Sequence, residues 1–215
     1  MDNFTIVNKT ILLVAKRNSG KSYLLKYLVM CERKKFSKIF VICPTERVNK
    51  FYSNIVSDEC IFDDYHEDWA ESLIKKMTEI NSNKPNNQRK NILLIIDDCI
   101  AFMNMHQSPS LKKLFSMGRH LNISLMITTQ YLKSISPLIR NNTDYLYVGQ
   151  MNRQSIEILT TEFLLGNIEK GEFIKMYNKA TKDYSFLVIN CSSVKDNNEL
   201  NLIYGQIKTP SKFIN

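Results

Sequence analysis

The chain has 215 residues, 44% hydrophobic and 23% charged, with only six Gly and five Pro, which excludes disordered, collagen-like and coiled-coil classes. That length suffices for one α/β domain with a buried core and is too short for two full-sized ones. Lys and Arg number 29 against 21 Asp and Glu, a formal charge of +8, which favours nucleic acid or a phosphate-rich ligand as partner and says nothing of fold.

Apolar runs of strand length alternate with helix-like stretches, the βαβ rhythm that predicts a parallel sheet covered on both faces. Residues 10–14 (TILLV) form the first predicted strand, followed by a turn and a helix over about 21–33. A second strand over 38–43 is closed by Pro44, which has no N–H for a sheet ladder. Apolar spacing predicts a helix over about 68–80, and the Asn-, Lys- and Pro-rich stretch 81–90 reads as an exposed loop. Residues 91–98 (NILLIIDD) are the most apolar strand candidate, expected at the centre of the sheet. A helix near 111–119, strands at 123–130 and 144–149, a helix around 153–164 and a late strand at 185–190 complete the series. No repeat or composition break divides the chain. Residues 1–215 are therefore expected to form one domain, with the motif core in about 10–150 and a strand and helix extension in about 151–215.

The five cysteines (Cys31, Cys43, Cys60, Cys99, Cys191) are odd in number and lack a CxxC pair; they read as small buried hydrophobes of a reducing compartment. His66, His106 and His120 are far apart, and none pairs with Cys at zinc-ligand spacing. The first ten residues lack the order of a signal peptide, and no apolar run approaches the roughly 20 residues that span a bilayer. A soluble intracellular protein without stable membrane insertion is expected.

Directly after the first strand stands Ala15-Lys16-Arg17-Asn18-Ser19-Gly20-Lys21-Ser22, and then an apolar-periodic helix. A phosphate-binding loop needs this setting, because consecutive backbone N–H groups and the helix N-terminus then surround a β-phosphate. Gly20 would let the backbone approach closely, Lys21 would bridge the β- and γ-phosphates, and Ser22 would offer its hydroxyl to Mg²⁺. Ala15 stands where the stricter pattern has Gly, so the backbone there must suit a residue with a Cβ.

The strand ending in Asp97-Asp98 supplies the second half. It carries two carboxylates to the carboxyl edge of the sheet, where ligands of open α/β sheets bind. Asp97 would hold Mg²⁺ through water. Asp98 would face the γ-phosphate and polarise the attacking water, a general-base role more often given to the longer Glu.

In the sequence, the 38–43 strand lies between loop and acids, and a further strand ends in Thr128-Thr129-Gln130. An extra strand between the motif strands, an acidic pair and a polar residue ending the next strand resemble the ASCE division of P-loop ATPases, unlike the kinase and GTPase division. That resemblance implies an α/β three-layer sandwich with a mostly parallel central sheet, of RecA or FtsK type. It also puts Gln130 beside the γ-phosphate, reporting its loss. The series AKRNSGKS, LLIIDD, GRHLNISLMITTQ and SPLIRNNTDYLYVG resembles the FtsK/HerA superfamily, and within it the genome-packaging ATPases of large DNA viruses and their virophage or polinton-like relatives. The resemblance covers roughly 10–150 well and the tail more loosely. It implies a ring, pentameric or hexameric, that hydrolyses ATP with Mg²⁺ to drive double-stranded DNA into a capsid. A capsid or portal-vertex protein would be a further partner, and the host cytoplasm at the site of virion assembly its place.

Two arginines are candidates for a finger acting across a subunit boundary on the transferring phosphoryl group. Arg119 comes first, because it precedes the Gln130 strand and is expected near the same sheet edge; Arg140 is second. Lys16 and Arg17 would instead neutralise γ-phosphate charge from within the loop. Binding to duplex should go mainly through phosphates, independent of sequence and weakened by salt, with Lys75 and Lys76, residues 84–90, and Lys112 with Lys113 as candidate tracks. The alternatives are a HerA-like cellular or plasmid DNA-pumping ATPase, a small-molecule kinase on a P-loop scaffold, and a non-enzymatic basic nucleic-acid-binding protein.

Overall fold

The computed structural model describes residues 5–98, 108–164, 168–192, 204–208 and 210; Cys99 and His106 lie outside the described residues. Among the described residues eight strands form one sheet: β1 (Thr10–Val14), β2 (Lys38–Ile42), β3 (Ile61–Phe62), β4 (Ile92–Ile96), β5 (Ile123–Thr129), β6 (Tyr145–Val148), β7 (Ser185–Asn190) and β8 (Tyr204–Lys208). Their order in space is β3-β2-β4-β5-β1-β6-β7-β8. Strands β1 to β6 pair in parallel, and β7 and β8 are antiparallel additions. β4 lies inside the sheet, flanked by β2 and β5, as its apolar run requires. In space the strand interposed between β1 and β4 is β5, the one carrying Gln130; β2, which lies between them only in the sequence, sits outside.

The helices are α1 (Lys21–Glu32), α2 (Glu46–Asn49), α3 (Glu67–Asn81), α4 (Pro109–Met117), α5 (Pro137–Asn141), α6 (Arg153–Glu162) and α7 (Lys170–Ala180). Side chains alternate across each strand, and the two faces build two cores. Leu12, Val14, Ile92, Leu94 and Ile96 pack with Leu73, Leu111, Leu114, Leu159 and Phe173, covering one face with α3 to α7. Ile11, Leu13, Leu93, Ile95 and Met126 pack with Leu24, Leu25, Val29, Tyr52 and Ile55, covering the other with α1 and the chain around residues 46–60. This is the expected three-layer sandwich.

Some sequence expectations are corrected. β2 ends at Ile42, one residue before Cys43. Asn81 belongs to α3 and is buried; its side chain donates to Lys90 O and accepts from Lys90 N–H, closing the base of the 81–90 loop. Cys31 is exposed, whereas Cys43 and Cys60 are buried. Helix α7 and strand β8 were not expected; α7 buries Phe173, Tyr177 and Ala180, a helical spacing.

Candidate active site

The loop of residues 15–20 joins β1 to α1 at the carboxyl edge of the parallel strands. Ala15 N–H donates to Thr129 O at 3.2 Å and Lys16 N–H to Gln150 O at 2.7 Å, pinning the loop's start to the ends of β5 and β6. Tyr177 steadies the β6 end by donating to Gly149 O and accepting from Met151 N–H. Asn18 (φ 57°) and Gly20 (φ 85°) take left-handed conformations that fold the loop over, one natural to Asn and the other to Gly. No side chain caps α1, so its first-turn N–H groups are left to the loop's concavity, where an anion is favoured.

Ala15 is not among the left-handed residues, so a Cβ is tolerated by the backbone. Its cost falls on a neighbour. Val14 pairs with Val148, and Val148 with Leu187, so Ala15, Gly149 and Phe186 stand side by side on one face. A Cβ at position 149 would lie 2.7 Å from Ala15 Cβ and 2.9 Å from Phe186 Cε1. Glycine at 149 makes room for alanine at 15.

Lys21 is only 7% exposed. Its Nζ donates to Ala15 O at 2.9 Å and Lys16 O at 3.3 Å. Burial lowers its ammonium from the ordinary lysine value, opposed by the nearby charges of Asp98 and Asp97.

The β4 and β5 pleats explain the acidic side. Ile96 pairs with Ile127, so Asp97 stands beside Thr128 on the face of α1. The Thr128 hydroxyl donates to Asp97 Oδ1 at 2.5 Å, and the phenol of the fully buried Tyr52 donates to Oδ2 at 2.6 Å. Burial raises the Asp97 carboxyl above its ordinary value; hydrogen bonds from Thr128, Tyr52 and Ser22 pull it back, and the charge of Asp98 adds to the rise. Burial, with Asp97 beside it, lifts the Tyr52 phenol well above its usual range, so it remains a donor. Tyr52 is fixed in turn by Glu46, a buried carboxylate of α2 that accepts the N–H groups of Phe51, Tyr52 and Ser53 at 2.7 to 3.0 Å. The oxygen atoms of Ser22 and Asp97, which line the same cavity, suit a hard divalent cation such as Mg²⁺.

Asp98 turns away from its neighbour through a left-handed backbone (φ 53°). Its N–H donates to Thr128 Oγ1 at 3.0 Å, and its Oδ2 accepts from Gln130 Nε2 at 2.9 Å. Lys21, Ser22, Asp97 and Asp98 line one cavity of about 520 Å³, together with Arg17, Asn18, Ser19, Gly20, Tyr52 and Thr45, and Gln130 joins it through Asp98.

The arginines stand elsewhere. Arg119 lies in a 3-10 turn (Gly118–Leu121) ahead of β5, at the amino edge of the sheet. Its nearest acidic partner is Asp144, 4.0 Å away at the start of β6. The seven residues of β5, rising about 3.3 Å each, separate it from the loop's edge, so the expectation of a shared edge is corrected. Arg140 forms a two-pronged ion pair with Glu162 and also donates to Ile135 O. Lys75, Lys76, Lys112 and Lys113 are exposed on α3 and α4, where Lys113 pairs with Glu71 at 3.7 Å.

Sequence reasoning did not find Tyr52, Thr128 or Glu46. For Thr128 a signal exists, since a parallel β4–β5 pair puts it level with Asp97; Tyr52 lies in irregular chain and Glu46 opens the four-residue α2, with no pattern to mark either.

A phosphate loop after β1, an acidic pair after β4 and β5 inserted between them define a P-loop NTPase fold. The chain belongs to the family of the poxvirus A32 protein, which matches residues 3–206. The 075L protein of invertebrate iridescent virus 6 is 31% identical over 201 residues, spanning 92% of this chain and 76% of that protein. The genome packaging NTPase B204 of Sulfolobus turreted icosahedral virus 2, in complex with AMPPCP, shares the fold with a TM-score of 0.66 at 19% identity, over 94% of this chain and 98% of that one. The pCW3 conjugation coupling protein TcpA matches with a TM-score of 0.60 at 17% identity, over 87% of this chain and 59% of that one. The two solved structures share the fold that the motifs lead one to expect.

Proposed function

We propose that this chain is a viral genome-packaging ATPase, a motor that hydrolyses ATP to move double-stranded DNA into a capsid. The observation that carries the reading is the convergence of the phosphate loop and the Asp97–Asp98 pair on one cavity. Membership of the poxvirus A32 family and the shared fold with B204, solved with AMPPCP and with ATP-γS, support it.

In this reading the loop's N–H groups and Lys21 hold the β- and γ-phosphates. Lys21 exchanges the carbonyls of Ala15 and Lys16 for phosphate oxygens, which strengthens its ammonium form. Mg²⁺, when bound, neutralises charge between the two phosphates; Ser22 and Asp97 would hold it, and Tyr52 and Thr128 fix the carboxylate that does so. Asp98 orients and deprotonates the attacking water, and Gln130, bonded to Asp98, senses the γ-phosphate. Lys16 and Arg17, exposed on the loop, offset phosphate charge in cis. Arg119, with its side chain 57% exposed, acts only across a subunit boundary, in a ring of five or six copies. The duplex is gripped through its phosphates, which the +8 charge favours. Assembly would bring the ring to a capsid or portal-vertex protein at the site of virion assembly in the host. Among the described residues no helix is long and apolar enough to cross a membrane.

The likeness to TcpA favours a second reading, a DNA-pumping ATPase of conjugative type, which uses the same residues. ATP hydrolysis measured with and without double-stranded DNA tests the motor class. Stimulation by duplex of any sequence is expected; turnover indifferent to DNA, or dependent on a small acceptor, would overturn it. An effect of purified capsid shells on that turnover separates packaging from conjugation.

A further inference from the structure

The phosphate loop has two flanks. On the β5 and β4 side stand Gln130, Asp98 and Asp97, groups suited to a terminal phosphate and its water. On the other side lie β6 and then β7. Because β7 runs antiparallel to β6, it begins at the carboxyl edge, and the turn leading into it from α7 arrives beside the loop.

That turn carries Asp183 at φ 52° and Tyr184 at φ 59°, two consecutive residues with side chains in the left-handed region, a costly conformation for a bulky aromatic. The result is a ring set against the phosphate loop: Tyr184 Cδ1 lies 3.4 Å from the point a Cβ on Gly20 would occupy. Thr181 and Ser185, on either side of the turn, are buried, yet Tyr184 is 50% exposed. The structure therefore holds a large apolar face in water next to the loop.

A triphosphate gripped by this loop with its γ end toward the acids must direct its α end, and the sugar and base beyond it, to the opposite flank. Backbone N–H groups read phosphates and leave the base unread. We propose that Tyr184 is the base-stacking residue of the site, receiving the aromatic heterocycle of the nucleotide on the flank opposite Asp97 and Asp98. This deepens the nucleotide reading above and rests on it.

Equilibrium binding of ATP and of inorganic tripolyphosphate to the full chain separates the two. Tripolyphosphate engages the loop and has no base. With Tyr184→Ala, ATP binding is expected to weaken about tenfold and tripolyphosphate binding to change by less than about twofold, the scale of a lost base–aromatic stack. Tyr184→Phe is expected to bind both as the unaltered chain does. Unchanged ATP affinity in Tyr184→Ala overturns the proposal, and so does an equal loss for both ligands, which would make the ring a prop for the loop. If Tyr184→Ala does not fold, Tyr184→Trp decides. Trp69, the sole native tryptophan, sits against Phe40 and Phe62, so new fluorescence quenched by ATP and not by tripolyphosphate supports stacking, and no difference between them overturns it. Failure of the unaltered chain to bind either ligand would overturn the nucleotide reading itself, and the stacking role with it.

Discussion

Gln130 donates from Nε2 to Asp98 Oδ2 at 2.9 Å, so side chains leaving two adjacent strands are joined directly at the mouth of the cavity. Any shift of one is felt by the other. If Asp98 is the general base, Asp98→Asn lowers kcat by about 10² to 10⁴ with ATP binding retained, and Gln130→Ala lowers kcat by a smaller factor. Single-turnover hydrolysis set beside equilibrium binding checks both. Undiminished kcat in Asp98→Asn would strip Asp98 of that role.

In the proposed function Lys21 and Asp97 act on bound nucleotide, and neither belongs to the hydrophobic clusters of the core. Lys21→Ala and Asp97→Ala are each expected to abolish turnover and leave the circular dichroism spectrum native. Retained hydrolysis in either variant would remove the corresponding assignment.

Burial raises the Asp97 carboxyl in the folded protein above its ordinary value. A raised folded value means that folding favours the protonated acid. That contribution is complete below the ordinary carboxylate range and is lost as pH rises through the raised value. The stability cost of ionising Asp97 therefore grows as pH rises. Asp97→Asn is expected to raise Tm more at pH 7 than at pH 4. Calorimetry at both pH values checks this; an equal shift, or a lower Tm at pH 7, would contradict it.

The 2.7 Å approach that a Cβ at 149 would make to Ala15 predicts a specific coupling. Gly149→Ala should cost about 1 to 3 kcal/mol by overpacking. Ala15→Gly with Gly149→Ala should recover part of that loss and not all, because the Phe186 ring remains in the way. Urea unfolding of the two single variants and the double one measures the coupling; strict additivity would argue against it.

Arg140 and Arg119 should behave differently. With both prongs on Glu162, Arg140→Ala is expected to lower stability by about 1 kcal/mol and to leave turnover per subunit unchanged. Arg119→Ala mixed into wild-type assemblies is expected to depress turnover more than in proportion to its fraction. A linear loss would argue against action across a boundary.

The legible parts of this protein were those written locally. Four or five apolar residues mark each of β1, β4 and β5, and the loop and acids fall at strand ends, so chain order alone brings Lys21, Ser22, Asp97 and Asp98 to one edge. The supports of those groups were not local. Tyr52 reaches Asp97 across 45 positions and Thr128 across 31, and only sheet order and register bring them together. Arg119 is a related case: nearness in sequence to the start of β5 is not nearness to its far end. β8 escaped because YGQIK is short, polar at alternate positions and interrupted by Gly.

At its β3 border the sheet has only two paired residues, against five in the strand beside it. That flank offers a neighbouring copy scarcely any open hydrogen-bonding rail to extend. Any contact that a second copy made across this border would therefore rest on side chains and not on strand pairing.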